Sequence, residues 1–271
     1  MARKIYLHEY IRHMPRIGVI SILIVFLLFL WLSRKHGNPV QKTVKRAVSI
    51  AEGKVPIEGG DGRDYYVLAN KPEPHNAVEL IAEINSFMIS LILALKNKYL
   101  YSEKTCFTEP SFRPEDEFVP YDSACAVDDP LSDFRIRAVY LLVTRYRPNY
   151  LEENQPTSPH DTSWEEGKGE RIALCLREQA SGKYGFIDKE LIKFVAIHEL
   201  THIAANTLDH PYYFWKVFKF LLIEANELLG FNLYDFKRQP INYCGMVVSY
   251  NPVYDSSVNI MQNESRDITA V

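Results

Sequence analysis

The motif His198-Glu199-Leu200-Thr201-His202 constrains this chain more than any other feature of its sequence. It has the pattern H-E-x-x-H, in which the two histidines are four residues apart. On a helix such positions lie on one face, so both imidazoles can reach one metal ion. Glu199 follows the first histidine directly, where a carboxylate can take a proton from a water activated by the metal. The motif therefore predicts a zinc site with Glu199 as the general base.

The residues around the motif predict the helix that it requires. Asp188 precedes the segment and is a favourable N-terminal cap, because its side chain can accept hydrogen bonds from free backbone N–H groups. Asn206 follows the last apolar residues and is the expected stop. Apolar residues recur between these two positions with a spacing near 3.6, as in a buried helix; they are Leu191, Ile192, Val195, Leu200 and Ile203.

A catalytic zinc site needs a third protein ligand and one open position. His210 is the nearest candidate, eight residues after His202 and directly before Pro211. It lies beyond the predicted end of the helix, where the chain can turn back towards the metal. A carboxylate from the following helix is the alternative, with Glu224 the best placed. The spacing alone leaves both ligands open.

The charge of the chain is distributed unevenly. Residues 1–46 carry nine Lys or Arg and one acid, whereas residues 47–271 carry 22 basic and 33 acidic residues, a formal charge of −11. An acidic domain without a basic run is poorly suited to bind the phosphate backbone of nucleic acids. We therefore expect no nucleic-acid partner.

The four cysteines are Cys106, Cys125, Cys175 and Cys244. None belongs to a C-x-x-C pair, so the sequence does not indicate a structural zinc site. Cys175 lies in an apolar, strand-like run and is expected to be a buried thiol. Cys106 and Cys125 share one loop-like region and are the predicted pair if the compartment is oxidising.

Residues 17–33 form an uninterrupted apolar run with basic residues on both sides. As a helix, seventeen residues span about 25 Å, which is close to the lower limit for crossing a bilayer. A cleaved signal peptide is the first alternative, but the run is long for one and no small-residue cleavage site follows it. A buried soluble helix is the second, and it would rarely be apolar on every face. The sequence predicts a single-pass membrane protein, and the flanking charges do not decide its orientation.

The rest of the chain divides by composition and periodicity. We expect a tail at 1–16, the transmembrane helix at 17–33, a linker at 34–62, a folded domain at 63–255 with an irregular insertion at 101–130, and a flexible tail at 256–271. Helices are predicted over 76–99, 131–147 and 211–230, and a strand over 172–176. This strand precedes the motif helix, and an exposed edge there would allow an extended peptide to bind by strand addition.

His198–His202 together with His210-Pro-Tyr-Tyr-Phe-Trp215 resembles the WLM and SprT-like zinc metallopeptidases. Their pattern joins H-E-L-x-H to H-x-x-x-F-W, although the gap before the third histidine is longer here. Further segments resemble WLM-like proteins of large eukaryotic DNA viruses, so that the likeness covers about residues 60–255; they are Asp61–Tyr65, Gly169–Arg177 and Asn242–Met246. For this chain, the resemblance implies His210 rather than Glu224 as the third ligand.

The resemblance also implies a fold class and a set of functions. The fold is α+β, a small zincin-like domain in which the H-E-x-x-H helix packs on a short sheet, behind an N-terminal transmembrane helix. The implied activity is that of a membrane-anchored, zinc-dependent endopeptidase, in a host or virion membrane if the protein is viral. Two other hypotheses remain: a metal-stabilised interaction module without catalysis, and a protease that acts on DNA–protein crosslinks.

Overall fold

The computed structural model describes residues 47–100, 133–156, 162–167, 169, 171–180 and 183–261. The chain divides into a unit of residues 1–48 with 115–117, which lies almost entirely outside these ranges, and a unit formed by the rest. All features below belong to the second unit. The predicted transmembrane helix at 17–33, the insertion at 101–130 and the pair Cys106 and Cys125 fall outside the described residues, so they stay predictions.

A mixed five-stranded sheet lies at the centre of this unit. In chain order its strands are β1 (Lys54–Glu58), β2 (Asp64–Leu68), β3 (Leu151–Asn154), β4 (Trp164–Glu166) and β5 (Arg171–Cys175). Their order in the sheet is β1-β2-β3-β5-β4, so β5 is internal and β4 forms an edge. The two outer pairs are antiparallel and the two inner pairs are parallel.

Four helices are described beside this sheet: α1 (Pro74–Tyr99), α2 (Phe134–Arg145), α3 (Lys189–Ala205) and α4 (Tyr212–Leu229). Helices α1 and α3 contact its strands, whereas α2 and α4 pack mainly on those two helices. Two hairpins complete the fold, one of β6 (Arg177–Ala180) and β7 (Lys183–Phe186), the other of β8 (Ile241–Tyr243) and β9 (Met246–Val248). The α+β class predicted from the sequence is confirmed. Within the described ranges, α1 alone has the length and hydropathy of a membrane span, and half of its most apolar window is buried inside the fold.

Helix α3 carries the metal motif and forms for the reasons expected from its sequence. The Asp188 carboxylate accepts hydrogen bonds from the backbone N–H groups of Glu190 and Leu191, at 2.9 and 3.4 Å. Asn206 ends the helix in the left-handed conformation, with φ 55°. The apolar stripe is buried, and most residues on the other faces are buried as well. The helix therefore runs through the core, and this fixes the direction of its histidines.

Strand β3 was not predicted, because its sequence Leu-Glu-Glu-Asn is polar. Its two glutamates are buried and paired with cations of β1, β5 and β6. Glu152 lies 2.5 Å from Lys54 and 2.6 Å from Arg171, and the Glu153 carboxylate accepts from Arg177 at 2.6 Å. Since Lys54 belongs to β1, the predicted linker at 34–62 includes a strand of the sheet.

The chain also differs from expectation at its C-terminal end and at its cysteines. A short 3₁₀ helix, Pro252–Tyr254, is followed by Val258, which is only 5% exposed. The folded unit thus continues beyond residue 255, into the predicted flexible tail. Cys175 is not a free thiol: it forms a disulfide with Cys244, with Cα atoms 6.5 Å apart. The apolar run around Cys175 gave no sign of a distant partner, which explains why this bond was missed.

Candidate metal centre

The imidazoles of His198, His202 and His210 converge on one point. Their ring centroids are 4.9 to 5.0 Å apart, and one ring nitrogen from each lies within 4.8 Å of the other two. The Nε2 atoms of His198 and His210 are 3.0 Å apart. Three imidazole nitrogens are a donor set that suits Zn²⁺ in a site with one open position. The residues therefore fit the metal that the motif implies.

Two elements bring these rings together. His198 and His202 lie one helical turn apart on α3, whereas His210 lies in the short connection to α4, as the turn before Pro211 suggested. The buried ring of Phe214 contacts all three imidazoles, with centroid distances of 4.6 to 4.9 Å. Trp215 stacks on His210 at 5.5 Å. The Phe-Trp pair therefore fixes the third histidine against the metal helix.

A backbone contact orients the second histidine. His202 Nδ1 lies 3.0 Å from the carbonyl oxygen of Thr207. When Nδ1 carries the proton and donates to this oxygen, Nε2 is left free to bind a metal. Burial lowers the pKa of His198 well below its usual value, and the neighbouring rings of His202 and His210 lower it further. A lowered pKa keeps the ring neutral near pH 7, which is the form that binds metals.

Glu199 lines the same cleft as the three imidazoles and is 3% exposed. Without a metal ion, burial raises the pKa of its carboxyl to about 8, and the charge of Glu165 acts in the same direction. A zinc ion at the neighbouring imidazoles would lower this pKa again and favour the carboxylate. A buried carboxyl group next to a cation site is placed to accept and return a proton. The role of Glu199 as general base stays a prediction.

The site opens into a cleft of about 520 Å³. One side is lined by residues 162–165, which include the start of the edge strand β4. The other lining segment is residues 246–250, here called the cleft wall, which contains β9. The sequence analysis assigned the peptide-binding edge to the strand at 172–176. That assignment is wrong, because β5 is internal to the sheet and β4 is the edge beside the metal site.

Several predicted and unpredicted residues can now be placed. Glu224 does not belong to the cluster: its carboxylate accepts hydrogen bonds from Lys98 at 2.7 Å and Tyr99 at 2.7 Å. Glu165 and the cleft wall were not predicted to lie at the site. Glu165 and the cleft wall are far from the motif in the sequence, and neither has a sequence motif that marks it as part of a metal site. Glu165 could have been found only from the pairing of β4 with β5, which the sequence does not show.

The comparisons agree with this geometry. Residues 136–268 match the model of the WLM domain family. Uncharacterized protein R325 of Acanthamoeba polyphaga mimivirus is 38% identical over 36% of this chain, and uncharacterized protein 136R of invertebrate iridescent virus 6 is 35% identical over 27%. The matches cover 48% and 40% of those two proteins, so the chain spans less than half of their length. No solved structure matches the chain.

The family match and the site coincide in the sequence. The matched region contains the metal helix, His210, the Phe214-Trp215 pair and the cleft wall. The relatives are proteins of large DNA viruses, as the resemblance of the sequence suggested. Residues 136–268 of this chain therefore match the WLM domain family, and the three histidines lie within the matched part.

Proposed function

We propose that this chain is a zinc-dependent endopeptidase with a zincin-like catalytic domain. The observation that carries the proposal is the convergence of His198, His202 and His210 beside the buried Glu199, at a cleft lined by the free edge of a sheet. His198, His202 and His210 hold the zinc ion. Bound zinc lowers the pKa of water towards neutrality and polarises a substrate carbonyl group.

Each residue of the site then has a defined task. The Glu199 carboxylate takes the proton from the attacking water and returns it to the leaving amine. The Thr207 carbonyl holds His202 in the tautomer that leaves Nε2 towards the centre. Phe214 excludes water from behind the imidazoles, since it is fully buried against all three rings.

The substrate we propose is an extended segment of a protein or peptide. The backbone groups on the outer side of β4 have no partner strand within the described part of the sheet. An extended peptide can add to such an edge through main-chain hydrogen bonds, which holds one bond near the metal. The cleft of about 520 Å³ is large enough for several side chains of such a peptide.

The two other hypotheses have less support. An interaction module without catalysis has no use for a carboxyl group buried beside the metal ligands, as Glu199 is. A protease of DNA–protein crosslinks would need a surface for DNA. The cleft is instead lined by Glu165 and Glu199, and no lysine or arginine is among the described residues that line it.

The substitution Glu199→Gln tests the proposal. We expect the purified full-length variant to bind zinc as the wild type does, because glutamine has nearly the same shape as glutamate and the three imidazoles are unchanged. Its cleavage of an unfolded protein substrate should fall by at least about a hundredfold. Zinc content by metal analysis and cleavage by mass spectrometry are the two measurements. A variant that keeps zinc and cleaves at the wild-type rate would refute the proposed general base.

We also propose that residues 17–33 anchor the protein in a membrane as a single helix. The apolar run and its basic flanks support this proposal. The Cys175–Cys244 disulfide supports a domain on the oxidising side of that membrane. Protease digestion of intact and opened membrane vesicles tests both points. Release of the protein by salt, or digestion of the domain from the reducing side, would contradict them.

A further inference from the structure

The disulfide between Cys175 and Cys244 lies at the N-terminal end of the cleft wall, residues 246–250. We propose that it is a thiol–disulfide exchange site whose reduction loosens the cleft wall and lowers catalysis at the metal centre. Its ligand is a small dithiol, or a protein with a pair of thiols. The effect on catalysis rests on the proposed peptidase function, whereas the exchange reaction and the loosening do not.

A thiol can reach this bond through a separate pocket. Both cysteines line a pocket of about 330 Å³, whose lining shares no residue with that of the metal cleft. Lys71, Arg177 and Glu178 line the same pocket, so charges of both signs border the path of a thiol, and Arg177 is itself paired with Glu153. Cys175 is only 2% exposed, whereas Cys244 is partly exposed. Cys244 is therefore the more exposed residue of the pair.

The bond is connected to the metal cleft by a short piece of backbone. Cys244 and Gly245 form the turn between β8 and β9, with φ angles of 51° and 88°. The cleft wall follows this turn directly. At its other end, Asn251 is buried and donates a hydrogen bond from Nδ2 to the carbonyl oxygen of Tyr234 at 2.8 Å. The wall is thus a segment held at both ends, with the disulfide at one of them.

Non-covalent contacts also hold the hairpin at the disulfide end. The buried Tyr243 hydroxyl donates to the carbonyl oxygen of Cys175 at 2.9 Å and lies 2.7 Å from Ser163 Oγ. The Glu178 carboxylate accepts from the backbone N–H of Cys244 at 2.6 Å and from Asn242 at 2.9 Å. These contacts survive reduction, so the hairpin is expected to loosen without detaching. Reduction of the disulfide is therefore expected to lower the cleavage rate without abolishing it.

The exchange step balances with a dithiol as the reductant. One thiolate of the dithiol attacks Sγ of Cys244, the bond between the two protein sulfurs breaks, and Cys175 leaves as a thiolate that takes up a proton. The second thiol of the reagent then attacks the mixed disulfide and releases Cys244 as a thiol. The dithiol is oxidised to a disulfide by two electrons, and the protein disulfide is reduced to two thiols.

The test uses the purified full-length protein loaded with zinc and treated with dithiothreitol. Mass spectrometry after alkylation reports which cysteines have been reduced, and hydrogen exchange reports the mobility of residues 241–250. We expect alkylation at Cys175 and Cys244 while the rest of the domain stays folded, faster exchange in this segment, and a cleavage rate lowered by about tenfold, because small displacements at an active site are costly. Zinc content is measured in parallel, since a dithiol can also bind the metal.

Two double variants serve as controls. Cys175→Ser with Cys244→Ser should reproduce the fast exchange and the lower rate without any reductant. Cys106→Ser with Cys125→Ser keeps the disulfide of the hairpin and should behave as the wild type does, with and without dithiothreitol. The proposal is refuted if Cys175 and Cys244 become alkylated only after global unfolding, or if exchange in residues 241–250 does not change. A protein that shows the predicted exchange but never cleaves any substrate contradicts the peptidase function instead.

Discussion

At the scale of single residues, the third histidine depends on its neighbours in the fold. His210 is exposed and lies in a connection between two helices, so nothing in its own backbone fixes its ring. Phe214 and Trp215 do this from the first turn of α4, through contacts of 4.6 and 5.5 Å with the His210 ring. The H-x-x-x-F-W spacing therefore has a physical use: it places two aromatic rings against a histidine that precedes the helix.

The two candidate third ligands, His210 and Glu224, predict different effects of substitution on zinc binding. His210→Ala removes one of three donors, and we expect the dissociation constant for zinc to rise by about a hundredfold or more, while the fold is kept. Glu224→Ala should leave zinc binding unchanged and cost about 1–3 kcal/mol of stability, because the Tyr99 hydroxyl and Lys98 lose the carboxylate that they contact. Zinc titration against a competing chelator and denaturant unfolding measure the two effects. Loss of zinc in the Glu224 variant alone would reverse the assignment.

At the scale of elements, predictability depends on where an element finds its partners. Helix α3 could be predicted because the features that define it are local in the sequence. They are the N-terminal cap Asp188, the apolar stripe over Leu191–Ile203 and the C-terminal residue Asn206. Strand β3 could not, because Glu152 and Glu153 are compatible with burial only when cations from other strands are beside them. The edge strand β4 was missed for a related reason, since three residues are too few to show a period.

The turn between β4 and β5 gives a prediction about how the cleft edge is held against α3. Gly169 has φ 99°, and a Cβ atom there would lie 2.8 Å from the Arg145 carbonyl oxygen and 3.0 Å from Cδ1 of Ile203. Gly169→Ala should therefore lower the free energy of unfolding by about 2 kcal/mol or more. Gly53→Ala is the matched control, because Gly53 also has a positive φ but no atom within 4 Å of the added Cβ. Its cost should be about 1 kcal/mol, and equal losses in the two variants would show that the contact is unimportant.

At the scale of the whole molecule, the cleft at the three histidines belongs to residues 47–271, whose formal charge is −11. The motif, its helix, the third histidine and the α+β class could be predicted from the sequence, since local patterns and the family resemblance carry them. The cleft wall and the Cys175–Cys244 bond could not, because they depend on how segments 69 residues apart meet in the fold. The membrane anchor at 17–33 stays a prediction.

The lining of the cleft predicts which substrates are favoured. Apolar side chains dominate it, among them Trp215, Phe218, Met246 and Val247, and its charged groups are the carboxyls of Glu165 and Glu199. We therefore expect peptides with large apolar residues beside the cleaved bond. Replacing one such residue by Asp should lower kcat/KM at least about tenfold, because the carboxylate would lose its hydration in a mainly apolar cleft. Lys at the same position is the control for polarity alone, and should be tolerated better. Equal cleavage of the Asp and apolar peptides would contradict this account.

The coordination of zinc in the full-length protein is the most direct test of the central claim, that three histidines form a peptidase metal centre with an open position. X-ray absorption at the zinc edge measures it in solution. The account predicts one zinc ion per chain, bound by three imidazole nitrogens and one oxygen from water, all at about 2.0–2.1 Å, and two imidazoles in the His210→Ala variant. A zinc ion with fewer than three imidazoles in the wild type, a sulfur ligand at about 2.3 Å, or a chain that binds no zinc would contradict the account.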